Sequence, residues 1–456
     1  MLGTGLDLPT LAARRRTSPW YRPDDVLRIL PGIDRAMVRL ASGALAEGTI
    51  GTLIALGNLS FARTGAAYAQ RKDGAWTAFA SNAPRITDAG MTIEPSTTNH
   101  VKNNAMTGYS GTVGSIGWIG GLSGSGLTQT LMGVGIEDGI DFIDIRVSGT
   151  ASGTIASVLY FDTVGINNVV NADTVAGKTW TIGAFARRIG GSFANVGGLD
   201  LVIRENDSGG AFLRQTLGSV LGATSGQLGR QPFSQAATLG TSCHGIACGL
   251  RLGASSGAAI DFTLRLGWPQ VGLGSVAMTP IRTTGAAATR AADDFRCPTS
   301  GLSLPASGTL VAEFVPGVSL DAIHAGEAYA LGIDDAGSTR LALRAHGTAK
   351  GPRLVVGDGE GVATVAPATG VAAGGACRAV ATFGAAAAGD NRLSVNGIFA
   401  GASERRCVFD LPAAIGLGQV HNGGAAFMSG VAREWAIRST VLTADDSNAE
   451  SARYTA

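Results

Sequence analysis

At 456 residues the chain is too long for one ordinary domain and long enough to bury sizeable cores. Its 68 glycines and only 15% charged residues argue against long helices, since each interior glycine costs about 1 kcal/mol relative to alanine; the glycines show no three-residue period, which excludes collagen. A net charge of +1 lacks the basic stripe of a nucleic-acid binder, and 45% hydrophobic content argues against wholesale disorder.

Residues 1–57 read as an N-terminal anchor. Arginines 14, 15, 16, 22, 28, 35 and 39 outnumber aspartates 7, 24, 25 and 34 there. Pro23-Asp24-Asp25 has the chemistry of a helix start, and Pro31-Gly32 that of a stop. Ile33, Ala36, Met37, Leu40 and Ala41 then follow helical spacing and predict a short amphipathic helix. Two readings fit this segment: a loosely packed arm, or a docking arm that orders against a partner. The start has no basic stretch leading into an apolar run, and no window approaches the roughly 18 apolar residues of a spanning helix. Membrane insertion is therefore not expected, and exit from a bacterial cytoplasm is expected to be by lysis.

The stretch 58–100 reads Asn58-Leu-Ser-Phe61-Ala-Arg63-Thr-Gly65, then Asn82-Ala-Pro84-Arg85, then Met91-Thr-Ile-Glu94-Pro95-Ser-Thr-Thr-Asn99. It contains no arrangement of catalytic groups. Arg63 and Arg85 are either ligand groups or structural ones, pairing with Glu94 or backbone carbonyls to fix a small collar.

Residues 101–295 read as one all-β domain. Ile143, Ile145 and Val147 alternate with Asp144, Arg146 and Ser148. Phe262, Leu264, Leu266 and Trp268 alternate with Asp261, Thr263, Arg265 and Gly267, which predicts one apolar strand face. Strands so spaced, with Gly/Asn/Ser turns, suggest a jelly roll. Tyr160, Asp162, Asn167 and Asn168 are the candidate carbohydrate-binding residues, an aromatic platform beside hydrogen-bonding groups; the competing reading is a core strand end with Phe161 buried. Asp138, Asp141 and Asp144 are close in sequence, but glycoside cleavage needs two carboxylates placed across a sugar, which proximity does not establish. Cys243-His244-Gly-Ile-Ala-Cys248 lacks a second ligand pair for zinc and reads as structural thiols, as do Cys297, Cys377 and Cys407. No catalytic residue, metal site or cofactor is assigned.

Residues 296–456 read as a second sandwich. Its best hairpin is Leu393-Ser-Val395-Asn396-Gly397-Ile398-Phe399, where Asn-Gly supplies both positive-φ positions of a type I′ turn. Trp180, Trp268 and Trp435 sit in apolar or alternating stretches and read as core.

The 58–100 pattern resembles that of phage head-spike and tail-fibre proteins. The closing run Trp268-Pro-Gln270 to Thr289-Arg290-Ala-Ala-Asp293 is similar to an ending found in the same family, although Val271-Gly272 stand where that ending has an acid. Gly430-Val-Ala-Arg-Glu-Trp435-Ala-Ile437 is similar to the closing strand of concanavalin A-like laminin-G domains. The resemblance implies an all-β fibre of a phage or a phage-like gene transfer agent. It would comprise an N-terminal anchor at 1–57, a collar at 58–100, a carbohydrate-binding-module-like jelly roll at 101–295 and a concanavalin A-like sandwich at 296–456. The implied partners are a spike-base, capsid or tail protein at the anchor, host-surface polysaccharide, and further copies of the chain as a pentamer or trimer. A capsule-degrading depolymerase and a purely structural decoration protein are the alternatives, and the implied location is the virion surface.

Overall fold

The computed structural model describes residues 20–162, 176–316, 327–333, 341–346, 351–358, 360–367, 374–384, 390–405, 407, 413–419 and 428–453. Their regular secondary structure is almost entirely antiparallel strand. The N-terminal part contributes β1 (Asp25–Leu30), β2 (Arg35–Arg39), β3 (Leu45–Gly48) and the short helix α1 (Ile50–Ala55). The collar contributes β4 (Ser60–Ala62), β5 (Ala67–Gln70), β6 (Trp76–Phe79), β7 (Ile86–Thr87), β8 (Gly90–Ile93) and β9 (Thr97–Asn99).

The first sandwich is built from β10 (Ile119–Gly120), β11 (Leu127–Glu137), β12 (Ile140–Thr150), β13 (Ile155–Tyr160), β14 (Thr179–Ser192), β15 (Gly198–Asn206), β16 (Phe212–Ser219), β17 (Pro232–Thr238), β18 (Gly245–Ala254) and β19 (Ala259–Leu273). They form two five-stranded sheets, ordered β10-β13-β18-β15-β16 and β11-β12-β19-β14-β17. The period-two pattern dictates the packing: Ile143, Ile145 and Val147 of β12 face Leu201, Ile203 and Leu250 of the other sheet within one core, while Arg146 is exposed.

The chain then returns through β20 (Ala288–Arg290) and β21 (Asp294–Pro298) to a second sandwich. This comprises β22 (Gly308–Pro316), β23 (Glu327–Gly332), β24 (Leu341–His346), β25 (Gly351–Gly357), β26 (Val362–Val365), β27 (Cys377–Phe383), β28 (Asn391–Val395), β29 (Ile398–Ser403), β30 (Ala414–Leu417) and β31 (Gly430–Arg438), closed by helix α2 (Ala444–Ser451). Asn396 and Gly397 both take positive φ, 51° and 84°, between β28 and β29, as the Asn-Gly turn predicts. Trp435 is fully buried and donates from Nε1 to the Ala330 carbonyl at 2.7 Å.

The segment expected to be an arm is, from residue 25 onward, part of this second sandwich. β1 pairs with β31, and β2 and β3 extend the same sheet outward. The predicted helix over residues 33–41 is therefore a strand. Pro31–Ile33 makes one tight turn ending at Asp34 in the left-handed region, and Ile33, the first residue of the apparent helical stripe, is 60% exposed. Asp25 opens a strand rather than a helix, because the free edge of β31 takes Leu27 opposite Ile437 and Ile29 opposite Trp435. Ala36 and Val38 then fill the same core as Leu310 and Trp435. Residues 1–19, where most of the arginine excess lies, are outside the described residues.

The collar is divided between the two sandwiches. β8 pairs with the other half of the β31 edge, and β4 pairs with β21 in the opposite sheet. The hairpin β5–β6 instead lies on the first sandwich, with Tyr68 and Trp76 packed on Ile140, Phe142, Phe185, Leu228 and Trp268. Trp268 reaches that patch through a bulge. β19 carries Trp268 and Pro269 where β14 offers only Ala184, and Trp268 takes φ of 37°. The alternation expected for residues 262–268 thus breaks at its last member: Phe262, Leu264 and Leu266 enter the sandwich core, whereas Trp268 is turned onto the opposite face under the collar hairpin. Among the described residues no helix is long and apolar enough to cross a membrane.

Candidate functional site: a buried charge junction and an aromatic face

Two short ladders bring the separated motif segments together. β4 pairs with β21 so that Ala62 faces Asp294, and β9 pairs with β20 so that Thr97 faces Arg290. Arg63 follows β4 directly, Arg85 precedes β7, Glu94 follows β8, Arg290 ends β20 and Asp293 precedes β21. All five charged groups meet at one point. The side chains of Arg63, Arg85, Arg290 and Asp293 are fully buried and Glu94 is 7% exposed.

Asp293 receives Arg63 Nη1 at 3.1 Å, Arg290 Nη1 at 3.3 Å, Arg85 Nη2 and the backbone N–H of Glu94 at 2.9 Å. Glu94 receives Arg85 Nη1 at 2.8 Å and the Thr279 backbone N–H at 2.9 Å, and lies 3.1 Å from Arg290 Nη1. Spare guanidinium protons go to the carbonyls of Gly65, Ala80, Tyr68 and Pro95. Burial alone would raise the Glu94 carboxyl, but Arg290, Arg85 and the Thr279 hydrogen bonds outweigh it and hold it at about 2. The remaining motif residues serve the same join. Asn82 accepts from Arg63 N, and Asn99 accepts from Val271 N while donating to the Ile281 carbonyl. The pairing of Arg85 with Glu94 follows the structural reading of the motif. The contributions of Arg290 and Asp293 were missed, although both stand in the Thr-Arg-Ala-Ala-Asp run that the sequence singles out.

The candidate sugar residues lie elsewhere, on the solvent face of the β10-β13-β18-β15-β16 sheet. Tyr160 ends β13 opposite Gly249 of β18, which in turn faces Val202 of β15 and Leu217 of β16. With no side chain at Gly249, the half-buried Tyr160 ring spans β18 and its hydroxyl accepts from Arg204 Nη1 at 3.4 Å. Arg204 also donates from Nε to Asn206 Oδ1 at 3.2 Å, and its guanidinium lies 4.8 Å from the ring centre of Phe212, which is 51% exposed. Asp162 is engaged by Lys102 at 3.1 Å and is largely covered. Phe161 is buried against Trp118, ring centres 5.0 Å apart, so the strand end is core on one side and solvent-facing on the other. Asn167 and Asn168 lie outside the described residues. The sequence reading missed Arg204 and Phe212. The run Leu201-Val-Ile-Arg204-Glu could have flagged the arginine, but nothing in residues 200–215 shows that Phe212 faces solvent.

Every member of the acidic group is committed to a partner. Asp138 accepts from Gln227 Nε2 at 3.0 Å and Gly229 N at 2.9 Å. Asp141 takes Trp268 Nε1 and Arg282 Nε, each at 2.8 Å, and Asp144 takes Arg265 through two bonds of 2.8 Å. Glu137, beside them, receives Arg187 and Arg265. The five cysteines are buried and none forms a disulfide; burial pushes Cys297 and Cys407 up to about 12, and Cys248 and Cys377 upward as well. An open hollow of about 280 Å³, lined by Arg63, Thr64, Asn82, Asp294 and Gln419, adjoins the junction, and a separate one of about 240 Å³ is lined by Leu30, Ile33, Lys72, Asp88 and Arg433.

No protein-family model matches the chain, and no curated protein sequence does. Among solved structures, it is similar to the CBM40 of the Ruminococcus gnavus IT-sialidase bound to α2,3-sialyllactose, with 16% identity over 32% of this chain and 82% of that one and a TM-score of 0.27. It is also similar to domain 4 of AbnA, a GH43 extracellular arabinanase from Geobacillus stearothermophilus, in complex with arabinotriose, at 15% identity over 35% of this chain and 73% of that one, TM-score 0.29. A third is the mouse laminin α1 chain, domains LG4-5, at 13% identity over 62% of this chain and 85% of that one, TM-score 0.21.

Proposed function

We propose that this chain is a virion fibre of a phage-like particle, a head spike or tail fibre, that attaches the particle to host-surface polysaccharide. The observation that carries the fibre reading is the junction. The two segments that resemble virion-fibre patterns are about 200 residues apart in sequence, yet they supply the two halves of one buried charge cluster between two sandwiches. Such a cluster suits a connector that must hold binding heads in fixed relation. The attachment reading is supported by the solvent face around Tyr160, Arg204 and Phe212, where half-exposed rings flank a hydrogen-bonding cation. Binding is favoured over cleavage by the engagement of Asp138, Asp141 and Asp144 with neighbouring side chains.

In this account residues 1–19 dock on a spike base, capsid or tail protein, and several copies assemble as a pentamer or trimer. Edge strand β11 leaves Met132, Val134 and Ile136 exposed, apolar surface that such an assembly would cover. The fibre would be assembled in the bacterial cytoplasm, released by lysis and displayed on the virion surface. Weak single sites would then suffice, because several copies per particle raise avidity by roughly 10²–10⁴. The test compares adsorption of particles with and without the protein to cells and to purified capsule. Loss of adsorption on deletion is expected. Unchanged adsorption would leave a decoration role, and release of reducing ends from capsule would establish the depolymerase instead.

A further inference from the structure

Arg204 is half-buried, and no carboxylate pairs with it among the described residues. Its partners are the Tyr160 hydroxyl, the Asn206 side-chain oxygen and the face of Phe212, and its Nη2 takes no acceptor there. The cations around it are arranged differently. Arg251 on β18 is held by Asp200 at 3.1 Å, and Lys102 by Asp162 at 3.1 Å. Among the described residues, Arg204 is thus the cation on this face whose charge is not neutralised by a neighbour. Two neutral hydrogen bonds and one aromatic contact fix its plane without cancelling that charge. Ala247 and Gly249 form a low floor beside it, and Tyr160, Phe212 and the partly exposed Leu217 surround it with apolar surface.

We propose that this face selects acidic sugars, with the Arg204 guanidinium taking the carboxylate of a sugar acid and the rings of Tyr160 and Phe212 taking the C–H faces of that sugar or its neighbour. A planar fork held in one orientation suits a carboxylate, which accepts two parallel N–H bonds. A single hydroxyl of a neutral sugar accepts only one of those bonds and brings no opposite charge. The inference rests on the glycan-attachment reading and narrows its substrate class.

The test uses the full chain on immobilised polygalacturonate, alginate and polysialic acid, each beside its carboxyl-reduced counterpart, with dextran, mannan and arabinan as neutral polymers. The wild-type chain is expected to bind at least one acidic polymer, and carboxyl reduction of that polymer is expected to weaken binding by about tenfold or more. Arg204→Gln should do the same with an unchanged melting midpoint, and Arg204→Lys should retain part of the affinity. If Arg204→Gln fails to fold, the comparison of acidic with reduced polymer on the wild-type chain decides alone. Equal binding of both forms, or binding of neutral polymers only, overturns acid selection and leaves attachment standing. No binding to any polymer, by the chain or by an avid multimer of it, overturns both.

Discussion

The junction and the solvent face of the first sandwich treat arginine in opposite ways. At the junction Arg63, Arg85 and Arg290 have no exposed side-chain surface, and each lies within 3.3 Å of a carboxylate oxygen. On the sheet face Arg204 keeps partial access to solvent and, among the described residues, meets only neutral groups. Physical chemistry explains the contrast. A guanidinium removed from water needs an opposite charge beside it, whereas one that water or a ligand can reach does not. The paired set therefore defines geometry, and the unpaired one remains available for recognition.

The largest effect should come from breaking the paired set. Asp293→Ala leaves three buried guanidiniums facing Glu94 alone, and a loss of about 3–5 kcal/mol is expected in urea unfolding. A midpoint near that of the wild type would refute the cluster's role. Acid should act on the same groups. Glu94 and Glu450, the latter on α2 against Arg438, Arg22 and Arg378, are both depressed from 4.5 to about 2. A carboxyl whose folded pKa is lowered contributes fully above its unfolded value and loses that contribution as pH falls through the folded one. Stability should therefore hold down to about pH 4.5 and fall between there and about pH 2, with Glu94 accounting for roughly 3 kcal/mol. An acid titration of circular dichroism on wild type and Glu94→Gln checks this, the variant showing a shallower fall.

Substitution on the unpaired side should move recognition rather than stability. Phe212→Ala is expected to weaken polysaccharide binding several-fold, about 1 kcal/mol, and to leave the urea midpoint close to wild type. A collapse of stability there would show Phe212 to be structural. The smallest effect belongs to Arg146 and Asp261, an exposed pair on the other sheet, where Asp261→Asn should produce no measurable shift in midpoint.

These contrasts also mark how much was legible in the sequence. Period-two alternation in β12 and β19, and the Asn396-Gly397 turn, disclosed the sandwiches because strand packing and turn chemistry are local. The N-terminal strands were hidden. Ala36, Met37 and Val38 are buried consecutively, a run whose character depends on the β31 edge about 400 residues away. The bulge at Trp268 was hidden as well, because a single extra residue inverts a face without altering composition. Arg85 and Glu94 lie nine residues apart and could be paired on paper, whereas Asp293 joins them only once β4 and β21 are known to be neighbours. Arg204 was not visible as special, since an unpaired cation is recognised only after all the paired ones have been located.

Hydrogen exchange on Asp293→Asn tests the junction most directly. Faster exchange is predicted together in residues 60–94 and in residues 279–296, two segments that meet at this cluster and along the β4–β21 ladder, with the interior strands β15 and β27 of the two sandwiches keeping wild-type protection. Acceleration confined to the residues around 293, with the collar unaffected, would contradict a single charge-locked connector.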